Sequence, residues 1–260
     1  MSIDWDEIAR AISPIKNYED LCQRLQRSFS YSFVREAYNF QIPGLIKYTQ
    51  LLLGGDTLNR YTEYIEKLVG TLTELHQAGV PDVKELIARA ETRKHLEIFS
   101  EQSGVSPQDI ATVLKYLVYW VIPMGKYLSG LIREDPRLNN AINTLRGSGI
   151  RTNLELLQQG RTRSGRAILA HSSGLPETLI FELVNRADFS RMPWSSKATI
   201  SNIMGAGYAS LAQLAGANPE QLYADFFGYG KVIGKNLKLG NEIENSYRIA
   251  KIVPSLVHNE

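Results

Sequence analysis

The sequence predicts an all-α protein in which an N-terminal helical bundle is followed by tandem helix-hairpin-helix-like modules. Two observations predict this fold class: apolar residues recur at helical spacing, and a stretch of 38 residues returns at a fixed offset of 70 without a gap. The 260 residues are 43% hydrophobic and 22% charged, which is the composition of an ordinary globular protein. This length accommodates one or two domains.

The first 70 residues are expected to form the helical bundle. Apolar side chains such as Ile8 and Ile12 fall at helical spacing, and Pro14 and the Pro43–Gly44 pair interrupt the pattern. A further helix is predicted from about residue 58 to 77, with Gly79 placed to end it. We therefore assign residues 1–70 to an N-terminal helical bundle.

The segment 78–115 is repeated as the segment 148–185. The two copies agree at nine pairs of identical residues, which are Gly79/Gly149, Glu85/Glu155, Leu86/Leu156, Thr92/Thr162, Arg93/Arg163, Ile98/Ile168, Ser103/Ser173, Gly104/Gly174 and Ile110/Ile180. Repeated helical units bury their apolar faces on their neighbours. We assign residues 71–145 to a first module and residues 146–260 to a second module with a C-terminal extension.

Each copy is predicted to contain a turn glycine and three helices. The second of these helices covers residues 92–102 in the first copy and residues 162–172 in the second. Gly104 and Gly174 follow these helices, where the left-handed conformation of a C′ residue favours glycine. In the first copy Ser106 and the proline after it have the character of an N-cap and a first helical residue.

Four stretches of the C-terminal part carry a family resemblance: GIRTNLELLQQGRTRSGRAILAHSSGLPE from residue 149, VNRADFSRMP from 184, YASLAQLAGANPEQL from 208 and RIAKIVPSL from 248. This part of the chain, about residues 146–256, resembles the domain of unknown function 4332, a relative of the helix-hairpin-helix DNA-binding folds. The resemblance implies a compact array of hairpin modules. It implies no particular activity.

The hairpin loop of residues 192–197 departs from the pattern of DNA-binding helix-hairpin-helix modules. In such modules glycines in this loop let backbone N–H groups approach a phosphate closely. Here the loop reads MPWSSK, so tryptophan and serine stand where bare backbone would be needed. This difference argues against DNA binding by this hairpin.

The C-terminal part is more basic than the rest of the chain. Residues 146–260 carry 13 basic and 9 acidic side chains, against 16 basic and 18 acidic side chains in residues 1–145. The candidate contacts to a partner or to phosphates are Arg146, Arg151, Arg161, Arg163, Arg166 and Lys197. The alternative is a solvated helix face with internal pairs, for example between Arg151 and Glu155.

No catalytic, metal or cofactor site is predicted. The four histidines show none of the spacings of metal sites, Cys22 is the only cysteine, and the glycine-rich stretch from 228 to 235 does not match a phosphate-binding loop. The most apolar stretch, residues 116–124, is much shorter than the roughly 20 residues of a spanning helix. We expect no membrane span, no cofactor and a cytoplasmic location.

An aromatic group spans the junction between the modules: Tyr116, Tyr119, Trp120 and Tyr127. Core packing is the favoured interpretation, because few basic residues are interleaved for stacking against nucleic-acid bases. Taken together, the sequence predicts a non-enzymatic binding or scaffold protein that binds a protein partner through helical repeat surfaces. The alternative is sequence-independent nucleic-acid binding through the arginine-rich C-terminal part.

Overall fold

Helices account for the regular structure of the chain. The computed structural model describes residues 3–55, 60–237 and 241–258. Across these ranges it contains 16 α-helices, one π-helical turn, one 3-10 turn and no strand, only two isolated bridges. The prediction of an all-α protein is confirmed. The beginning of the helix predicted near residue 58 lies outside the described residues, and the helix itself starts at Thr62.

The chain divides into two units, residues 1–124 and residues 125–260. The helices of the first unit are α1 (Trp5–Ile12), α2 (Tyr18–Phe29), α3 (Ser32–Tyr38), α4 (Ile42–Leu53), α5 (Thr62–Gln77), α6 (Val83–Arg89), α7 (Arg93–Ser103) and α8 (Pro107–Tyr116), followed by the π-helical turn Leu117–Val121. Helix α1 packs on α8, and α4 packs on α5. Fully buried apolar side chains such as Leu21, Phe33 and Leu72 form the core of this unit.

The second unit begins with the 3-10 turn Leu128–Leu131. Its α-helices are α9 (Pro136–Gly147), α10 (Asn153–Gly160), α11 (Arg163–Ser173), α12 (Glu177–Phe189), α13 (Lys197–Gly205), α14 (Leu211–Ala215), α15 (Pro219–Val232) and α16 (Asn241–Ala250). Helix α12 lies at the centre, packed on α9, α10, α11 and α14, and each of its residues from 183 to 189 is buried. The three-part division into residues 1–70, 71–145 and 146–260 stays a prediction.

Short polar side chains fix where most helices begin. Each accepts a backbone N–H of the first helical turn, which would otherwise lack a partner. These N-cap residues are Asp4, Asn17, Asp82, Thr92, Ser106, Asp135, Thr152, Thr162, Ser196, Ser210 and Asn218. The N-cap role predicted for Ser106 is confirmed, with Pro107 as the first helical residue.

Left-handed glycines fix where two of the helices end. Gly104 follows α7 with φ 72°, and Gly174 follows α11 with φ 70°. A side chain in this conformation costs about 1–2 kcal/mol, because its Cβ approaches the following carbonyl oxygen. The predicted helix ends at these two positions are confirmed.

This conformation predicts opposite effects of alanine at two glycines of the second unit. No atom lies within 4 Å of a Cβ at Gly174 or at Gly228, so neither substitution creates a clash. Gly174→Ala should lower the free energy of unfolding by about 1–2 kcal/mol. Gly228→Ala, inside α15, should raise it by about 0.5–1 kcal/mol, because alanine loses less backbone entropy in a helix. Urea unfolding measures both values, and two changes of the same sign would contradict the assigned backbone conformations.

Candidate functional site

A buried lysine organises the surface where α10 begins. Lys126 exchanges hydrogen bonds with the first residue of α10: its N–H donates to Asn153 Oδ1 at 2.7 Å, and its carbonyl accepts from the Asn153 N–H at 2.9 Å. The ammonium of Lys126 donates to the carbonyls of Ser190 and Ser195, at 2.8 and 3.0 Å. We call Lys126, Asn153, Ser190 and Ser195 the Lys126 clamp. The clamp joins the loop after α12 to the beginning of α10.

Asn153 completes the clamp from inside the unit. Its side chain is fully buried, and its Nδ2 donates to Ser190 Oγ at 2.9 Å. Ser190 Oγ in turn donates to the carbonyl of Ala187 at 2.6 Å, in the last turn of α12. Because buried polar groups gain stability only when they are hydrogen-bonded, this chain of bonds holds the loop in one position.

The clamp holds a tight turn with a tryptophan at its tip. The Ser195 N–H donates to the carbonyl of Met192 at 3.2 Å, so residues 192–195 form a four-residue turn with Pro193 in second position. Trp194, in third position, has φ 59°, the only positive φ at a non-glycine residue in the described part of the chain. Glycine is usual at this position of such a turn. Strained backbone of this kind persists where the surroundings over-determine it, as at binding sites.

Two aromatic side chains are exposed beside the clamp. Trp194 is 55% exposed, and Tyr127 is 72% exposed. Tyr127 follows Lys126 and Trp194 precedes Ser195, so the hydrogen bond from Lys126 to Ser195 places both aromatic residues on the same part of the unit. Core packing, expected from the sequence for the aromatic group, is wrong for Tyr127. It is right for Tyr116, which is fully buried and donates to Thr49 Oγ1 at 2.8 Å.

Arg151 and Lys197 lie on the same side of the second unit as the two aromatic residues. The carbonyl of Arg151 accepts from the Leu128 N–H at 3.0 Å, and Lys197 follows the clamped loop as the first residue of α13. Both side chains are exposed. We call Tyr127, Arg151, Trp194 and Lys197 the Trp194 surface. It combines two large aromatic groups with two cations.

The pairing considered for Arg151 and Glu155 takes another form. The Glu155 carboxylate accepts from the backbone N–H groups of Arg151 and Thr152, at 2.7 and 2.8 Å. Thr152 Oγ1 accepts from the Glu155 N–H, which completes a capping box at the start of α10. Glu155 therefore stabilises the helix terminus that carries Arg151.

The remaining predicted contact residues are distributed around α10. Arg146 is exposed near the end of α9, before the turn that leads to Arg151. Arg161 and Arg163 lie beyond the other end of α10, which has 8 residues and is therefore about 12 Å long. Arg163 is exposed, whereas Arg161 is half-buried. The structure thus places Arg151 and Lys197 on one side, with Arg161 and Arg163 at the opposite end of α10.

Arg166 has an internal role. It is 4% exposed, its Nη2 donates to the carbonyl of His258 at 3.0 Å, and its guanidinium lies over the ring of Phe181 at 4.5 Å. The His258 N–H donates to the carbonyl of Arg161 at 2.9 Å. Burial lowers the pKa of Arg166. Arg166 therefore anchors the C-terminal segment and is left out of the Trp194 surface.

The sequence analysis did not single out Lys126 or Asn153, because their contacts join residues 27–69 positions apart. A signal for Trp194 was present: a large apolar residue follows proline in a short turn between two helices. Burial lowers the pKa of Lys126 to about 8. Among the described residues no group of three or more His, Cys, Asp and Glu side chains is placed to hold a metal ion. No helix in the same ranges is long and apolar enough to span a membrane.

The titration of Lys126 provides a test of the clamp. Between pH 8 and 10.5 the unfolded chain holds a proton on this lysine that the folded chain has released, so stability rises with pH. Relative to Lys126→Met, the wild type should gain up to about 3 kcal/mol of unfolding free energy across this range. Urea unfolding at several pH values measures the difference. A difference that stays constant with pH would show that Lys126 is not desolvated as described.

Comparison with known families identifies one domain within the second unit. Residues 138–227 form a domain of unknown function (DUF4332). The domain begins in α9 and ends in α15, and it includes Arg151, Trp194 and Lys197. Lys126 and Tyr127 precede it. Searches of curated proteins and of solved structures found no match to the chain.

Proposed function

We propose that this chain, which contains a DUF4332 domain at residues 138–227, is a non-enzymatic binding protein that binds a protein partner through the Trp194 surface. The observation that carries the proposal is the conformation of Trp194: a tryptophan with φ 59° and 55% exposure, held at the tip of a clamped turn. Strain that exposes a large apolar side chain to water stabilises neither the turn nor the core. A partner that covers the indole accounts for both.

The composition of the Trp194 surface supports a protein partner. Tryptophan, tyrosine and arginine are the residues most enriched among those that dominate the binding energy of protein interfaces. The surface has one of each, with Lys197 beside them. We propose that the partner has an apolar pocket for the indole of Trp194 and carboxylates that pair with Arg151 and Lys197.

We also propose that the chain contains repeated helix-hairpin-helix-like modules, with the partner surface in the second. Helices α7 and α11 support the repeat, because their bounds differ by 70 residues and each is followed by a left-handed glycine. The succession of α12, the turn at residues 190–196 and α13 supports a hairpin at the clamped loop. We place the protein in the cytoplasm, a compartment that suits the single, free cysteine Cys22.

Nucleic-acid binding is the second candidate, favoured by the exposed arginines at the two ends of α10. The clamped turn argues against it. The Ser195 N–H already donates to Met192, and the side chain of Trp194 occupies the tip of the turn where a phosphate would need open backbone. In addition, Arg166 is committed to the C-terminal segment.

Affinity capture from the native host, with quantitative mass spectrometry, tests the proposed function. The baits are the full wild-type chain, Trp194→Gly and the matched control Ile168→Ala, which removes another exposed apolar side chain of the same unit. We expect at least one protein to be enriched by the wild type and by Ile168→Ala but lost with Trp194→Gly. A capture pattern identical for all three baits would overturn the proposal.

The two candidate functions also differ in their response to nucleic acid. Fluorescence anisotropy of labelled duplex and single-stranded oligonucleotides at about 50 mM salt is expected to show no binding, since nucleic-acid affinity would be strongest at low salt. Binding that falls steeply with salt and disappears in Arg161→Ala/Arg163→Ala would favour the second candidate over the first.

A further inference from the structure

Two adjoining cavities lie within the second unit, beside α13. The first has a volume of about 260 Å³ and the second about 210 Å³. Thr199 and Ser246 line both of them, so the cavities meet at these two residues. Helices α13 and α16 contribute to both walls, and Phe226 of α15 closes one side of the first cavity.

The walls of both cavities are apolar or polar but without charge. In the first cavity, Phe226 and Ile243 provide apolar surface, and Asn202 and Asn236 provide amide groups. None of the described residues that line either cavity is ionisable. Phosphates, carboxylates and metal ions need charged or strongly polar partners, so this lining selects against them. It favours a neutral molecule with an apolar body.

The linings contain polar atoms without hydrogen-bond partners. Asn202, in the wall of the first cavity, has a buried Oδ1 without a partner. Ser195, in the wall of the second, has a buried Oγ without a partner and is 8% exposed. Buried polar atoms are nearly always satisfied, so each of these calls for an additional group. An amide oxygen accepts only, and the missing group at Asn202 is therefore an N–H or O–H donor.

We infer that the first cavity binds a small, neutral, aromatic molecule that donates a hydrogen bond from an N–H or O–H group to Asn202 Oδ1. The ring would pack against Phe226, as aromatic pairs do in protein interiors. The volume fits a ligand of one or two rings: an engineered apolar cavity of about 150 Å³ holds benzene, and sites for drug-sized ligands begin at about 300 Å³. This inference does not depend on the partner proposed for the Trp194 surface.

Titrations followed by amide NMR of the full-length chain test this inference with two matched pairs of probes. Indole and phenol carry the donor, whereas benzofuran and fluorobenzene have nearly the same shapes without it. Indole or phenol should cause saturable shifts at residues 199–203 and at Phe226. The partner of the same shape should bind at least about tenfold more weakly, the effect expected for one unsatisfied polar group.

Two variants assign the effect to the cavity. Asn202→Leu keeps the approximate size of the side chain but removes the acceptor, so the preference for the donor probe should disappear. Asn139→Leu, an exposed position on α9, is the control and should bind as the wild type does. Circular dichroism checks that both variants are folded. The inference is overturned if neither donor probe binds at millimolar concentration, if each pair binds equally to the wild type, or if Asn202→Leu retains the preference.

Discussion

Replacing Asp188 by alanine is expected to lower the free energy of unfolding by about 3–5 kcal/mol, the usual result of leaving one partner of a buried ion pair unpaired. Arg191 Nε donates to Asp188 Oδ1 at 2.8 Å, and the two side chains are 0% and 5% exposed. Burial raises the pKa of Asp188, and Arg191 opposes this effect. The alanine variant would leave the guanidinium of Arg191 buried without its carboxylate. Urea unfolding at neutral pH measures the loss.

The double variant Asp188→Leu/Arg191→Met is the control for this prediction. Apolar side chains of similar volume avoid the desolvation of two charges, and such replacements of buried pairs are often neutral or stabilising. We expect the double variant to recover most of the loss caused by Asp188→Ala. If the single variant lost less than about 1 kcal/mol, the value typical of an exposed pair, the buried pair would not exist as described.

Trp194→Gly is expected to separate binding from stability. Glycine adopts a positive φ without steric cost, so the free energy of unfolding should stay unchanged or rise by up to about 1 kcal/mol. Binding to the captured partner should weaken at least about 30-fold, which corresponds to the 2 kcal/mol or more lost at a dominant interface residue. Isothermal titration calorimetry and urea unfolding of the same preparation give the two values.

Tyr127→Ala and Ile168→Ala frame this result. Tyr127 belongs to the Trp194 surface, and its loss should weaken binding, whereas Ile168 lies on α11 outside that surface and its loss should not. If Trp194→Gly lowered stability by several kcal/mol, Trp194 would be a core residue instead of a contact residue. If all three variants bound equally, the partner would contact another part of the chain.

Much of the fold could be predicted from local sequence signals. Gly104 and Gly174 marked helix ends because a left-handed residue is required there, and Ser106 marked a helix start because its hydroxyl caps a backbone N–H. These interactions join residues only a few positions apart. Helical periodicity likewise depends on neighbouring residues, so the all-α class followed from the sequence directly.

The candidate site could not be predicted in the same way. Lys126 is bound to the carbonyls of Ser190 and Ser195, 64 and 69 positions away, and no local pattern encodes such contacts. The arginines near the second turn were recognisable by type, but their roles depend on burial. Arg166 anchors the C-terminal segment, whereas Arg151 lies exposed at a helix terminus. Residue type alone does not distinguish these two roles.

The most direct test of the central claim, that the Trp194 surface contacts a protein partner, is photo-cross-linking in the native host. A photoreactive phenylalanine analogue replaces either Trp194 or Ile168, two exposed side chains of the same unit. The account predicts a discrete cross-linked protein from position 194, reduced by Arg151→Ala and Lys197→Ala, and none of that size from position 168. Equal products from both positions, or cross-links from 168 alone, would contradict it.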